Sequence, residues 1–317
     1  MKPLLSRTRA SGMNWPVCSG TEVRLRQQQS DDGSFSLWSD EFGQAFHSSR
    51  GALKEARETF LKPAALDRFA AGSTLKVLEL CVGTGTNTAA LIEACQEREL
   101  HLTWWGLEMD QRPLQLALAD QQFRQQWKAS TLQALQENAE GIHWGDARQS
   151  LLVLQSQLIG TCDLVIHDAF SPSVCPQLWS HEFLALVSHS LAPHGRLTTY
   201  CSAAAVRQSL MDHKLELAGL RPPAGSAKHQ WSSGTVASPS PLDMAEPLVK
   251  LSKMEMEHLQ TRAAEPYRDP TGQDTAKQIQ KQRRDRQQAC DRMSTSAWRR
   301  RWLQEKGLRN AGRFPPS

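Results

Sequence analysis

The chain predicts an α/β protein built on a doubly wound, mostly parallel sheet, and three observations predict it. Short apolar runs alternate with segments of helical periodicity. One run leads through a two-glycine turn into a helix, at Lys76-Val77-Leu78-Glu79-Leu80-Cys81-Val82-Gly83-Thr84-Gly85-Thr86-Asn87. Acidic residues recur where the runs end, at Glu79, Glu108, Asp146 and Asp168. Open sheets of this kind bind ligands at the carboxyl ends of their strands, so the four acids converge on one site.

The elements follow in order. Residues 1–30 are polar and read as a mobile leader. Residues 31–46 interleave Phe35, Leu37, Trp38, Phe42 and Phe46 with polar neighbours, and residues 51–60 read as a helix. The first buried strand spans 75–80 and its helix runs to 97. A second strand at 102–107 ends in Glu108-Met109-Asp110, and Pro113 suits the first turn of a helix running to about 123. Residues 142–144 form a short third strand before Gly145-Asp146-Ala147. A fourth strand at 162–166 leads to His167-Asp168-Ala169-Phe170. A helix at 181–191, a strand at 196–200 and a helix at 204–219 follow, with Gly219 as its C-cap. Residues 228–236 suit a closing strand pair. Residues 237–247 are rich in Ser and Pro and read as a linker, so the predicted units are 1–30, 31–237 and 238–317.

A chain of 317 residues suffices for one large α/β domain with an appendage. No apolar run reaches the length of a membrane span, and the first twenty residues lack the apolar core of a secretory signal. The seven cysteines are an odd count without a C-x-x-C pair, which suits reduced thiols in a cytoplasmic protein. The ten histidines show no metal-ligand spacing, so no metal is assigned. Charge is uneven. Residues 238–317 carry 16 Lys plus Arg against 10 Asp plus Glu, while the whole chain is only +4, so residues 1–237 are net acidic.

The glycine turn departs from the dinucleotide fingerprint G-x-G-x-x-G, because Thr88 stands at its third glycine. At the strand ends, Glu108 suits the two ribose hydroxyls of a nucleoside, and Asp146 suits an adenine amino group or caps its own helix. Glu79 can orient the glycine turn or bind an amino group. Gly83 and Gly85 let a ligand approach the backbone; Asn87 opens the helix behind them, and Met109 and Ala147 flank the two acids. A cleft of acids suits a cationic cofactor without phosphate, S-adenosyl-L-methionine. After the fourth strand comes Asp168-Ala169-Phe170-Ser171-Pro172-Ser173-Val174-Cys175-Pro176-Gln177-Leu178-Trp179. Asp168 there can hold an attacking amine and accept its proton. Phe170 and Pro172 shape the loop. Trp179 is either a base-stacking residue or a core aromatic beneath the loop.

Residues 35–237 resemble the methyltransferase domain of the MnmC-type tRNA-modifying family. The family pattern E-x-G-x-G-T-G-x-N resembles Glu79 to Asn87, and D-G-F-A-P-x-x-N-P-x-M-W resembles Asp168 to Trp179 without a gap. The upstream F-S-x-x-x-G-L-x-E resembles Phe46 to Glu55 with a one-residue adjustment. Cys81 stands at the family's first glycine and Cys175 at its loop Asn. The resemblance implies a class I, Rossmann-like fold that methylates the aminomethyl group of wobble uridine in tRNA. No second glycine fingerprint is present, so it implies a form without the family's FAD-dependent oxidase domain. Arg207 and Lys228 are candidates for RNA, each equally able to cap a helix or cover the sheet. The basic C-terminal segment suits tRNA phosphates or a solvated tail. Two alternatives stand beside this reading, an aminopropyltransferase-like polyamine enzyme and a non-catalytic RNA-binding protein on the same fold.

Overall fold

The computed structural model describes residues 24–222 and 231–305. Three short strands come first, β1 (Leu25–Gln29), β2 (Phe35–Ser39) and β3 (Gln44–Ala45), in an antiparallel sheet ordered β1-β2-β3. β1 pairs along its whole length with β2, so the leader reading does not extend to residues 25–29. α1 (Ala52–Glu55) continues as one π-helical turn, Ala56–Leu61.

The main sheet has eight strands. They are β4 (Thr74–Leu80), β5 (His101–Glu108), β6 (His143–Trp144), β7 (Cys162–His167), β8 (Leu191–Thr199), β9 (Glu216–Leu220), β10 (Thr235–Ser238) and β11 (Leu248–Val249). Their spatial order is β11-β9-β10-β8-β7-β4-β5-β6. β4 to β8 pair in parallel, and β9, β10 and β11 pair antiparallel. The parallel strands are apolar because helices cover both faces. On them lie α2 (Thr86–Glu97), α3 (Arg112–Ala119), α4 (Gln121–Gln125), α5 (Ala129–Ala139), α6 (Ala147–Leu158), α7 (His181–Ser190) and α8 (Ala204–Asp212).

One predicted helix is cut in two. The segment 204–219 is helical only to Asp212; Lys214 then takes a left-handed backbone (φ 65°), and β9 begins at Glu216. Gly219 is therefore a strand residue opposite Thr235, not a helix cap. A Cβ there would lie 2.5 Å from Ser232 Oγ, so close packing requires the glycine. The closing strand pair falls on β9 and β10, while residues 228–230 lie outside the described residues.

Beyond β11 come α9 (Lys253–His258), α10 (Ala276–Ala289) and α11 (Thr295–Glu305). They pack on the sheet layer. Tyr267 and Ile279 join the same buried cluster as Leu178, Trp179 and Phe183. Trp298 and Trp302 close over Trp231 and Met254. Asp269, almost wholly buried, accepts from Arg148 Nη1 at 2.6 Å and from the N–H groups of Gln273 and Asp274.

Candidate active site

A cavity of about 560 Å³ opens at the carboxyl edge of β4, β5 and β7, a size suited to a nucleoside-sized ligand. Gly83, Glu108, Met109, Asp146 and Ala147 line it, together with Asp168, Phe170 and Tyr200. The hairpin between β2 and β3 roofs it. Phe42 stacks on Phe170 with centroids 4.4 Å apart, and Phe46 meets the same ring edge-on at 5.1 Å. Gln44 fastens the roof to the loop after β7, donating from Nε2 to Ser171 Oγ at 2.7 Å and accepting from Ser171 N–H at 3.2 Å.

The glycine turn is held by Glu108. Its Oε2 accepts the Gly83 N–H at 2.8 Å, and its Oε1 accepts the N–H groups of Met109 and Asp110 at 2.7 and 2.9 Å. Burial pushes this carboxyl above its ordinary value, against the pull of those three donors. Gly83 has φ 56° and Gly85 φ 78°. Only Gly83 faces the cavity; a Cβ on Gly85 would lie 2.7 Å from Leu114 Cδ1, so Gly85 is fixed by the packing of α3 on α2.

Glu79 lies behind the turn rather than in the cavity lining. It is wholly buried, and Oε2 accepts from Thr88 Oγ1 at 2.9 Å and Trp104 Nε1 at 2.8 Å. Burial raises its pKa to about 7. Its hydrogen bonds go to α2 and β5, and it does not reach the cavity where a ligand amino group would lie. Asn87 is likewise absent from the lining and points instead at Asp168, donating from Nδ2 to Oδ2 at 2.7 Å. Asp146 lines the cavity while capping α6, accepting the Arg148 N–H at 2.9 Å, and it pairs with the Arg148 guanidinium at 2.6 Å.

Asp168 directly follows β7, and both it and Glu55 line the cavity. Burial raises the Asp168 pKa well above the ordinary range, the Glu55 charge raises it further, and the Asn87 hydrogen bond opposes both. Burial also raises Glu55, whose Oε2 accepts the Ser48 N–H at 2.9 Å. Two carboxyls that resist ionising together can share one proton. Glu55 is a site residue that residue-by-residue reading passed over, although it closes the F-S pattern noted above. Phe42, Gln44 and Tyr200 were also missed. Tyr200 donates to Ala169 O at 2.8 Å and pins the loop after β7.

Three expected contacts with substrate are corrected. Trp179 is wholly buried and stacks on His167, centroids 4.0 Å apart, so it supports the loop from beneath. Arg207 is also buried. It pairs with Glu255 at 2.8 Å and donates to Thr235 Oγ1, Ser232 Oγ and Gly234 O, so its guanidinium is turned into the fold and out of reach of RNA. Pro172 is buried and absent from the cavity lining, so it stiffens the loop without reaching the cavity. Lys228 lies outside the described residues.

The cavity lining holds six carboxylates, from Glu41, Glu55, Glu108, Asp110, Asp146 and Asp168, and one arginine, Arg148, already paired to Asp146 and Asp269. That donor set fits a sulfonium and an ammonium and leaves no cation for a pyrophosphate. A doubly wound sheet with this turn and this acidic cleft defines a class I S-adenosylmethionine-dependent methyltransferase fold. A family model described as S-adenosyl-L-methionine-dependent methyltransferase matches residues 115–232.

Comparison with individual proteins points to a narrower group. The tRNA 5-methylaminomethyl-2-thiouridine biosynthesis bifunctional protein MnmC of Caulobacter vibrioides is 28% identical over 225 residues, covering 61% of this chain and 36% of that protein. An uncharacterized protein of Methanocaldococcus jannaschii is 28% identical over 197 residues, covering 58% of this chain and 52% of its own. The chain thus spans about half or less of the length of these curated relatives. Among solved structures, MNMC2 from Aquifex aeolicus matches with a TM-score of 0.69 at 24% identity, covering 83% of this chain and 84% of that one. A probable spermidine synthase from Corynebacterium glutamicum matches with 0.51 at 15% identity, covering 82% of this chain and 99% of that one. Both structural likenesses concern the fold. The chain therefore carries a methyltransferase-type domain of the S-adenosyl-L-methionine-dependent kind, similar to part of the MnmC proteins. Among the described residues no helix is long and apolar enough to cross a membrane, and no group of three or more His, Cys, Asp or Glu could hold a metal ion.

Proposed function

We propose that this protein is an S-adenosylmethionine-dependent N-methyltransferase acting in the cytoplasm on the aminomethyl group of wobble uridine in tRNA. The observation that supports the reading is a single cavity lined by Gly83 and Glu108 of the glycine-turn region together with the carboxyls of Asp168 and Glu55. The bound cofactor supplies an electrophilic methyl group on its sulfonium. Glu108 and Gly83 would hold its nucleoside end and Asp146 the base.

The chain's own residues handle the amine. An alkylamine resembles lysine, with a pKa of about 10, and arrives as an ammonium that cannot attack. The two carboxyls attract that cation, and Asp168 can take one proton from it. The freed nitrogen lone pair then lies on the methyl side. Phe42, Phe46 and Phe170 exclude water around it, which strengthens the carboxylate contacts. Catalysis of this kind is mainly position and electrostatics.

The test pairs calorimetry with nucleoside analysis. Binding of S-adenosylmethionine in preference to its decarboxylated form, together with loss of the methylated wobble nucleoside from tRNA of a strain lacking this protein, is expected. Preference for the decarboxylated form would move the assignment to aminopropyl transfer. Binding of neither would remove both enzyme readings and leave the fold as a non-catalytic RNA-binding platform.

A further inference from the structure

We infer that the outer face of α10 is a rail for a polynucleotide backbone, set beside the loop that presents Asp168. The inference rests on the tRNA reading above and gives that partner a surface. The catalytic cavity cannot grip phosphates itself, because its lining is six carboxylates and a single, doubly paired arginine. An anionic polymer approaching it needs cations elsewhere, close to the mouth.

α10 is built to supply them. Its inner face docks it firmly. Ile279 is wholly buried. Arg283 lies over the Tyr267 ring at 4.4 Å and donates to Glu265 O and Ala263 O at 2.7 and 2.8 Å. Arg286 pairs with Glu265 at 2.9 Å and Gln287 donates to Arg262 O at 2.8 Å. Gln280 reaches across to Ser173 O at 2.5 Å, within the Asp168 loop. The helix is therefore fixed against the acceptor side of the cavity.

The outer face is different. Lys277, Lys281 and Arg284 are exposed and follow the i, i+4, i+7 spacing of one helical stripe. Among the described residues none of the three has an ion pair. The stripe spans about 10 Å at 1.5 Å per residue, with two acids near it, Asp285 and Asp274, the latter accepting from Gln282 Nε2 at 3.0 Å. The helix thus divides its cations. Arg283 and Arg286 are spent on docking, and Lys277, Lys281 and Arg284 are presented to solvent. Three such cations on a rigid element neutralise phosphates without reading sequence.

The full-length triple variant Lys277→Gln, Lys281→Gln, Arg284→Gln tests the rail. Binding to tRNA is followed across a salt series, and methylation is followed with both tRNA and the free aminomethyl nucleoside. The slope of log affinity against log salt is expected to fall by about two to three. The KM for tRNA rises at least about tenfold, while kcat, turnover of the free nucleoside, cofactor affinity and melting temperature stay at parental values. An unchanged slope in a variant of a parent that methylates tRNA overturns the rail and leaves the function standing. A parent that neither binds nor methylates tRNA overturns both. Loss of binding to anionic vesicles without loss on tRNA likewise overturns the rail, because the stripe would then serve a membrane surface.

Discussion

Asn87 donates from Nδ2 to Oδ2 of Asp168 at 2.7 Å, tying the first turn of α2 to the end of β7. The helix that follows the glycine turn and the Asp168 carboxyl are thereby one unit, joined by a residue that is itself outside the cavity lining. Asp168→Asn is expected to keep the shape and lose the charge. Methyl transfer should fall by about a hundredfold or more, with cofactor affinity nearly unchanged by calorimetry. Parental turnover in that variant would remove Asp168 from the chemistry.

Asn87→Ala tests positioning separately. The Asn87 N–H favours the ionised form of Asp168, so its loss pushes an already raised pKa higher. The acid limb of the pH–rate profile should move to higher pH, with a lower rate at neutrality. A profile scaled down without moving would mean that Asn87 serves the fold alone.

Glu79 predicts a pH-dependent stability. Its carboxyl titrates near 4.5 when unfolded and about 7 when folded. As pH rises between those values the unfolded chain loses its proton first, so stability falls with pH, by about 3 kcal/mol in all, and is level above. Glu79→Gln keeps an oxygen for Thr88 and Trp104 and removes that fall. Denaturant titrations at pH 5 and pH 8 should show near parity at the first and a gain for the variant at the second.

Arg207 and Trp179 are expected to matter to the fold rather than to RNA. Arg207→Ala leaves Glu255 charged and buried without its cation, at a cost of about 3–5 kcal/mol. Trp179→Ala opens a cavity under the loop, at about the same cost. Neither should change the salt dependence of tRNA binding in the fraction that stays folded. A reduced salt slope for Arg207→Ala would contradict its burial.

Cys81 sits at φ 65°, a left-handed backbone in which side chains are costly. Cys81→Val should lower stability by about 1–2 kcal/mol, because a β-branched residue fits that conformation worst. Cys81→Gly should fold at least as well as the parent. Equal midpoints for the two variants in chemical denaturation would show that the turn relaxes around its side chain.

The sheet was readable because strands buried on both faces must be apolar, and their ends cannot be. The Asp168 loop was readable because its motif is contiguous. What escaped reading depended on partners far along the chain. Arg207 stands as an RNA candidate only until Glu255, 48 residues on, is placed against it. Glu55 becomes a site residue only once the helix carrying it faces β7. The break after Asp212 was hidden because Leu215 and Ala218 continue a helical apolar pattern, whereas Lys214 turns left-handed. Asn87 was expected to meet the cofactor, as its place after the glycines suggests; its side chain instead found the buried carboxylate next door.

The hydrogen bond from Gln280 to Ser173 joins residues 107 positions apart. During synthesis the Asp168 loop leaves the ribosome long before α10 exists to brace it. At about 5–20 residues per second, that interval is roughly 5–20 s. Over that time β4 to β8 are already made while α10 is not. On the proposed reading, the surface for the anionic partner is therefore made only after the strands that carry the glycine turn and Asp168.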